Sequence, residues 1–503
     1  MRKGITAGMA AATWLAAMPA GATDAAVTRW RQAHEVAIVE QLAAMVRIES
    51  VAANPAGLAQ QADSLVTALQ ARGFAARLLP AGGGPPIVYA ALDMPGAKRT
   101  VVFYAHYDGQ PVKPADWATP PFQPVLRSGT LAAPVVEAPA SGQFDPEWRL
   151  FGRAVSDDKA PLVAFLAAFD ALKATGRKPS INIRIVWEGE EEAGSPHLAA
   201  ALAAHRDLLK SDLWLIGDGP VHQSRQPTIT FGARGVMGLD LTFYGPVRAL
   251  HDGHYGNWVP NPAAMAANLL AALRDDDGNI LIPGFGDDVR APTPAESAAI
   301  AALPSVDARL MAEFGLAAHE GRDGLTLATM RPALNVRGLK AGGTGATAAN
   351  AIPTTAEVSL DFRLVPGQTP EKVRAQVEGF LKSRGWTLVT AEPDLATRRA
   401  TPRLLRLAWD DGYPALRADM ASPAGRAVIK AASAAAGGPV VALPMMGGSV
   451  PIFLFDRLFG VPIITLPIAN HDNNQHAANE NLRLQNLWDG IDAYAAMLTR
   501  LDW

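Results

Sequence analysis

Apolar residues recur at helical spacing from Val27 to Ile48 and again from Gln60 to Arg72. The stretch TVVFYAHYDGQP is rich in β-branched and aromatic residues and ends in turn formers, which predicts a buried strand. Ala160 to Gly176, APLVAFLAAFDALKATG, predicts a helix stopped by its terminal glycine. Ile181 to Trp187 predicts the next strand, His197 to Leu209 the next helix, and DLWLIGDG a short apolar strand with a polar end. Strands alternating with helices predict an α/β fold, a mostly parallel sheet flanked by helices. In such sheets ligands gather at the carboxyl ends of the strands.

The texture changes after Phe231. GVMGLDLTFYG and TTAEVSLDFRLVPG alternate apolar and polar positions, as half-exposed antiparallel strands do. NPAAMAANLLAALRD reads as a helix. TPEKVRAQVEGFLKSRG reads as another, with a threonine N-cap and Glu371 in its first turn. From about Pro414 the α/β texture returns, with a helix at Ala424 to Ala436, a strand at Val461 to Ile468 and a last helix at Leu487 to Leu501. The expectation is a catalytic domain in two parts, 23–230 and 415–503, interrupted by an inserted α+β domain at 231–414.

Composition narrows the class. The chain has 503 residues, 49% hydrophobic and 18% charged, with a net charge of −3. That suits a folded multidomain protein, and the absence of a basic tract argues against nucleic acid or a membrane as partner. The first 22 residues pair a basic head, Arg2 and Lys3, with an alanine-rich apolar run and Ala20-Gly21-Ala22, and they read as a signal peptide cleaved near Ala22. A secreted or periplasmic protein is the expectation. With no cysteine, a metal site would use His, Asp and Glu alone.

The chemistry begins at INIRIVWEGEEEAGS, where an apolar strand runs into Glu188, Glu190, Glu191 and Glu192. Like charges in a confined site raise one another's pKa, so such a cluster needs cations, arginines or open solvent. Trp187 and Val186 beside it, and the small Ala193-Gly194-Ser195 closing it, speak against open solvent, and no arginine cluster is near in sequence. Other strand ends carry ligand types too: His106-x-Asp108, Asp157-Asp158 before a helix, Asp218, and the pair His471 and His476. Two residues apart on a strand, His106 and Asp108 share a face, so one can bind metal while the other orients it. Spacing alone does not choose between His471 and His476. Histidines and carboxylates without thiols suit zinc, with manganese or cobalt as alternatives.

In order, His-x-Asp, GRAVSDDKA, EGEEEAGS, a strand-end Asp and QHAANE resemble the dinuclear-zinc exopeptidases and deacylases. That family includes carnosinase-type dipeptidases, aminoacylases, bacterial glutamate carboxypeptidases, acetylornithine deacetylase and succinyl-diaminopimelate desuccinylase. The carnosinase-like branch is nearest, through Asp157-Asp158-Lys159, GGSVP and DFRLVPG. The resemblance implies two zinc ions: His106 and Asp218 on one, Asp157 bridging, Glu192 and His476 on the other. It makes Glu191 the general base and Asp108 the residue that orients His106. It implies that the insert is a lid and dimerisation domain in a homodimer, with His251 stabilising the oxyanion, from the partner subunit in dimeric members. Asn350, Arg363, Gly448 and Ser449 would face substrate. The implied reaction is hydrolysis of an amide bond in a dipeptide, a short peptide C-terminus or an N-acyl amino acid, with deacylation of another small N-acyl compound as the alternative. A non-catalytic binding protein on the same fold is disfavoured, because every ligand and the base are kept.

Two departures touch the pattern. GRG is GRA here, with Ala154, a small-for-small change. Met445 and Met446 stand where carnosinase-like relatives carry Arg-Glu before Gly-Gly-Ser. Either Arg363 holds a substrate carboxylate alone, or the substrate is more apolar than a simple dipeptide.

Overall fold

A computed structural model describes residues 24–503. The signal peptide expected at 1–22 lies outside the described residues. The fold is mixed α/β. An eight-stranded sheet runs in the order Ala75–Ala81, Gly84–Leu92, Asn182–Glu188, Thr100–His106, Leu213–Ile216, Ile463–Thr465, Thr228–Thr230, Val441–Leu443. Its centre is parallel: Thr100–His106 pairs in parallel with Asn182–Glu188 on one side and Leu213–Ile216 on the other. Ile463–Thr465 extends that parallel set, although it arrives from far along the chain.

The helix Lys159–Ala174 is buried along almost its whole length, because it lies between the sheet and the helices Ala25–Arg47 and Leu484–Arg500. Near-continuous apolar sequence there is the signature of a helix covered on all sides. Phe165 packs on Phe103 with ring centroids 5.1 Å apart and edge-on to Trp187 at 6.0 Å, which locks the helix across the two strands that carry His106 and the glutamates. The helix ends at Thr175, and Gly176 takes the positive φ expected of a terminal glycine.

A second, five-stranded sheet is built from Ala333–Lys340, Thr355–Leu364, Gly235–Tyr244, Leu404–Trp409 and Thr387–Val389. Gly235–Tyr244 and Thr355–Leu364 pair antiparallel over their full length, from Gly235↔Leu364 to Tyr244↔Thr355. The helices Pro262–Leu273 and Pro370–Ser383 bury one face on it, around Phe243, Leu269, Phe362, Val377 and Leu381. Thr369 caps the second helix by accepting from the Lys372 amide. The strand expected over Val461 to Ile468 is confined to Ile463–Thr465, and the residues beyond it run irregularly toward His476.

Candidate metal and catalytic site

Parallel pairing brings the chemistry together. His106 and Glu188 are register partners at the carboxyl ends of adjacent strands, and Asp218 follows the strand on the other flank. Asp157 comes from the turn just before the buried helix. His476 comes from the loop after Ile463–Thr465, at a left-handed φ of 61°. Ligand atoms of His106, Asp157 and Asp218 lie within 4.8 Å of one another, and so do those of Asp157, Glu192 and His476. Asp157 belongs to both groups. His106 Nε2 stands 3.1 Å from Asp157 Oδ1. His476 Nε2 stands 3.2 Å from Asp157 Oδ2 and 3.3 Å from Glu192 Oε2.

The donor set fits divalent cations. Two imidazoles and three carboxylates converge with no thiolate, the chemistry of zinc, manganese or cobalt. Asp157 Oδ2 is buried, and the one group beside it is the His476 ring at 3.2 Å. A buried carboxylate oxygen left in this way needs a positive partner. Burial raises Glu192 to about 8 and Asp218 to about 6, with the Asp157 charge adding to both. Burial acts on Asp157 as well, but the facing His106 and His476 rings hold its carboxyl below the ordinary range.

The four glutamates have four different surroundings. Glu188 accepts from the Tyr104 hydroxyl and, at 3.1 Å, from Ser195 Oγ, and burial pushes it up to about 8. Glu190 accepts the His197 amide at 2.8 Å and faces its ring at 2.9 Å. Glu192 accepts from Gln110 Nε2 at 2.7 Å and turns to His476. Glu191 lines the adjoining cavity with Asp157 and Asp218, its carboxyl raised by burial. Asp108 organises this turn: its two oxygens accept the Glu191 and Glu192 amides at 3.2 and 3.1 Å. Asp108 Oδ1 also lies 3.3 Å from His106 Nδ1.

The cavity measures about 540 Å³ and is further lined by Arg363, Gly448, Ser449 and His476. Arg363 donates from Nη1 to Ser449 Oγ and from Nε to Asp361 Oδ2, each at 2.8 Å. His251 and Asn350 are not brought there. Both are exposed, at a short two-stranded ribbon in which His251 pairs with Ala351, and the Asp252 amide donates to the Asn350 carbonyl. His254 is exposed beside His251, with rings 4.7 Å apart. His471 joins neither metal group and is half-buried.

Sequence reasoning gave no role to Glu480, which the structure shows as fully buried. Its Oε1 accepts from Ser156 N, Ser156 Oγ and Asp157 N at 2.9, 2.8 and 3.0 Å. Its Oε2 accepts from Arg153 Nη1 and Ala154 N, both at 2.9 Å. One side chain therefore ties the Asp157 turn to the His476 loop. The only sequence signal was its place in QHAANE, four residues after His476.

The chain matches Peptidase family M20/M25/M40 over residues 102–500. It is 27% identical over 424 residues to a Cys-Gly metallodipeptidase of Schizosaccharomyces pombe, covering 83% of each chain. It is 26% identical over 424 residues to the human Beta-Ala-His dipeptidase, covering 83% of this chain and 78% of that one. Among solved structures, an M20 family metallo-carboxypeptidase from Sulfolobus solfataricus superposes with a TM-score of 0.75 at 26% identity, covering 92% of this chain and 99% of that one. These relatives correct the expected secreted or periplasmic location. The yeast metallodipeptidases matched here are cytosolic, and the leader read at 1–22 falls outside the described residues.

Proposed function

The chain belongs to peptidase family M20/M25/M40 and is a metallopeptidase, and from that premise we propose that it hydrolyses the amide bond preceding a C-terminal amino acid. The substrate would be a dipeptide, a short peptide or an N-acyl amino acid. The observation that carries this reading is the sharing of Asp157 between two ligand groups, with Glu191 on the wall of the same cavity. His106, Asp157 and Asp218 would hold one zinc ion and Asp157, Glu192 and His476 a second. When bound, such ions polarise a carbonyl and lower the pKa of water.

The chain's own groups then have distinct tasks. Glu191 takes a proton from the attacking water and returns it to the leaving amine, a role suited to a carboxyl whose burial makes it a stronger base than an exposed one. Asp108 holds the turn that aims Glu191 and Glu192 and steadies the His106 ring. Arg363, fixed by Asp361 and Ser449, presents its remaining donors to a substrate carboxylate, and Gly448 borders the same space.

The division into 23–230 with 415–503 and an intervening lid at 231–414 is part of this proposal. So is a homodimer in which His251 and Asn350 reach the cavity of the other copy. Their exposure and their absence from the residues lining this chain's own cavity support that reading. Mixing His251→Ala with Glu191→Gln chains tests it, with partial recovery of activity expected.

The proposed base is tested by Glu191→Gln. Metal content should stay at the wild-type level while kcat falls roughly 10²–10⁴-fold. Unchanged turnover in that variant would refute the assignment.

A further inference from the structure

We propose that the cavity selects substrates whose acyl side carries no charge, namely N-acylated amino acids and N-blocked peptides rather than peptides with a free α-ammonium. This rests on the reading of the site as an amide hydrolase and names its substrate class. Among the residues lining the cavity, the carboxylates are Asp157, Glu191 and Asp218, and the one arginine or lysine is Arg363. Asp157 and Asp218 belong to the ligand groups and Glu191 is the proposed base, so this chain offers no spare anion to an incoming ammonium. Arg363 offers a cation to a carboxylate. The site therefore holds a charge partner for the carboxyl end of a substrate and none to spare for an amine end.

The remaining wall carries no further Asp, Glu, Lys or Arg: Leu325, Leu443, Met446 and Val450 line it beside the uncharged polar side chains of Gln223, Thr230, Thr326, Thr329 and Gln475. Met446 Cε lies 3.6 Å from where a Cβ would stand on Gly219, the residue after Asp218. A flexible thioether there accommodates acyl chains of varied shape. A free ammonium in the same place would lose water and gain no carboxylate in return, only neutral acceptors, a penalty for a charge.

In the reaction, the scissile C–N bond breaks. Water gives its oxygen to the acyl carbon and both its protons to the leaving nitrogen, so an N-acyl amino acid yields a carboxylate and an amino acid with a free ammonium.

The test compares alanylleucine with its N-acetyl form and with N-acetylleucine. Turnover is measured on the wild type, and binding by calorimetry on Glu191→Gln. We expect the acylated compounds to exceed alanylleucine by about tenfold or more in both kcat/KM and affinity, the worth of one unsatisfied charged contact. Met446→Glu should reverse the preference, and Met446→Gln, of the same shape without the charge, should keep it. Equal or better binding of alanylleucine to Glu191→Gln would overturn the proposal. Tighter binding of the acylated compounds without turnover in the wild type would uphold it while refuting the hydrolase reading.

Discussion

Replacing Glu480 by glutamine changes one atom of a side chain that touches no substrate, yet the structure makes its cost large. The carboxylate accepts five hydrogen bonds and is fully buried. A glutamine keeps one acceptor oxygen. If that oxygen faces Ser156 and Asp157, the new NH₂ points at the Arg153 guanidinium and the Ala154 amide, donor against donor. Arg153 is itself only 2% exposed, so its charge loses its counter-ion in the interior. Breaking a buried pair from one side costs about 3–5 kcal/mol. The Asp157 turn loosens at the same time, and loss of such a supporting contact weakens metal binding roughly 10–100-fold. Urea unfolding of the metal-saturated and metal-stripped protein, with zinc competition against a chelator, reads both effects. The double variant Arg153→Met with Glu480→Gln should recover part of the stability, because the stranded charge is gone. It should not recover metal affinity, because the turn still lacks its acceptor. An unfolding midpoint and zinc affinity unchanged in Glu480→Gln would refute the reasoning.

Gln110→Ala removes the 2.7 Å hydrogen bond to Glu192 and should weaken metal retention roughly 10–100-fold with little change in overall stability, measured by chelator competition. In the metal-free protein, burial and the Asp157 charge raise Asp218 to about 6 and Glu192 to about 8. Both lie above the unfolded carboxyl range of about 4. The unfolded chain therefore loses these protons first, and metal-free stability should fall as pH climbs from about 4 toward 8. At pH 7 Glu192 is then largely protonated, and at His106 burial is outweighed by the Asp108 and Asp157 carboxylates, which raise it well above the usual imidazole range, so metal binding should expel protons from both, read by calorimetry in buffers of different ionisation enthalpy. Expulsion of none would contradict this account of Glu192.

Much of this site is legible along the chain because each ligand stands where an apolar strand gives way to polar residues. The five expected ligands form the two groups the structure brings together. The proposed base and the proposed ligand in EGEEEAGS could not be told apart by spacing, since Glu191 and Glu192 diverge only through the turn that Asp108 holds. The hairpin Ala75–Ala81 with Gly84–Leu92 carries no clean alternation, because glycines and prolines interrupt it. Ala333–Lys340 is exposed over most of its length at the edge of its sheet, so it lacks the apolar period that marks a strand. Glu480 was silent for another reason. Its five donors come from residues more than 300 positions away and are mostly backbone amides.

The account turns on Asp157 serving two cations at once. Metal analysis of purified protein, wild type beside Asp157→Ala, tests this directly after both are equilibrated with zinc and desalted. The account predicts two zinc ions per chain in the wild type and loss of both in the variant, which should remain folded by circular dichroism. A wild type that retains no metal, or a folded Asp157→Ala protein that still holds two ions, would contradict it.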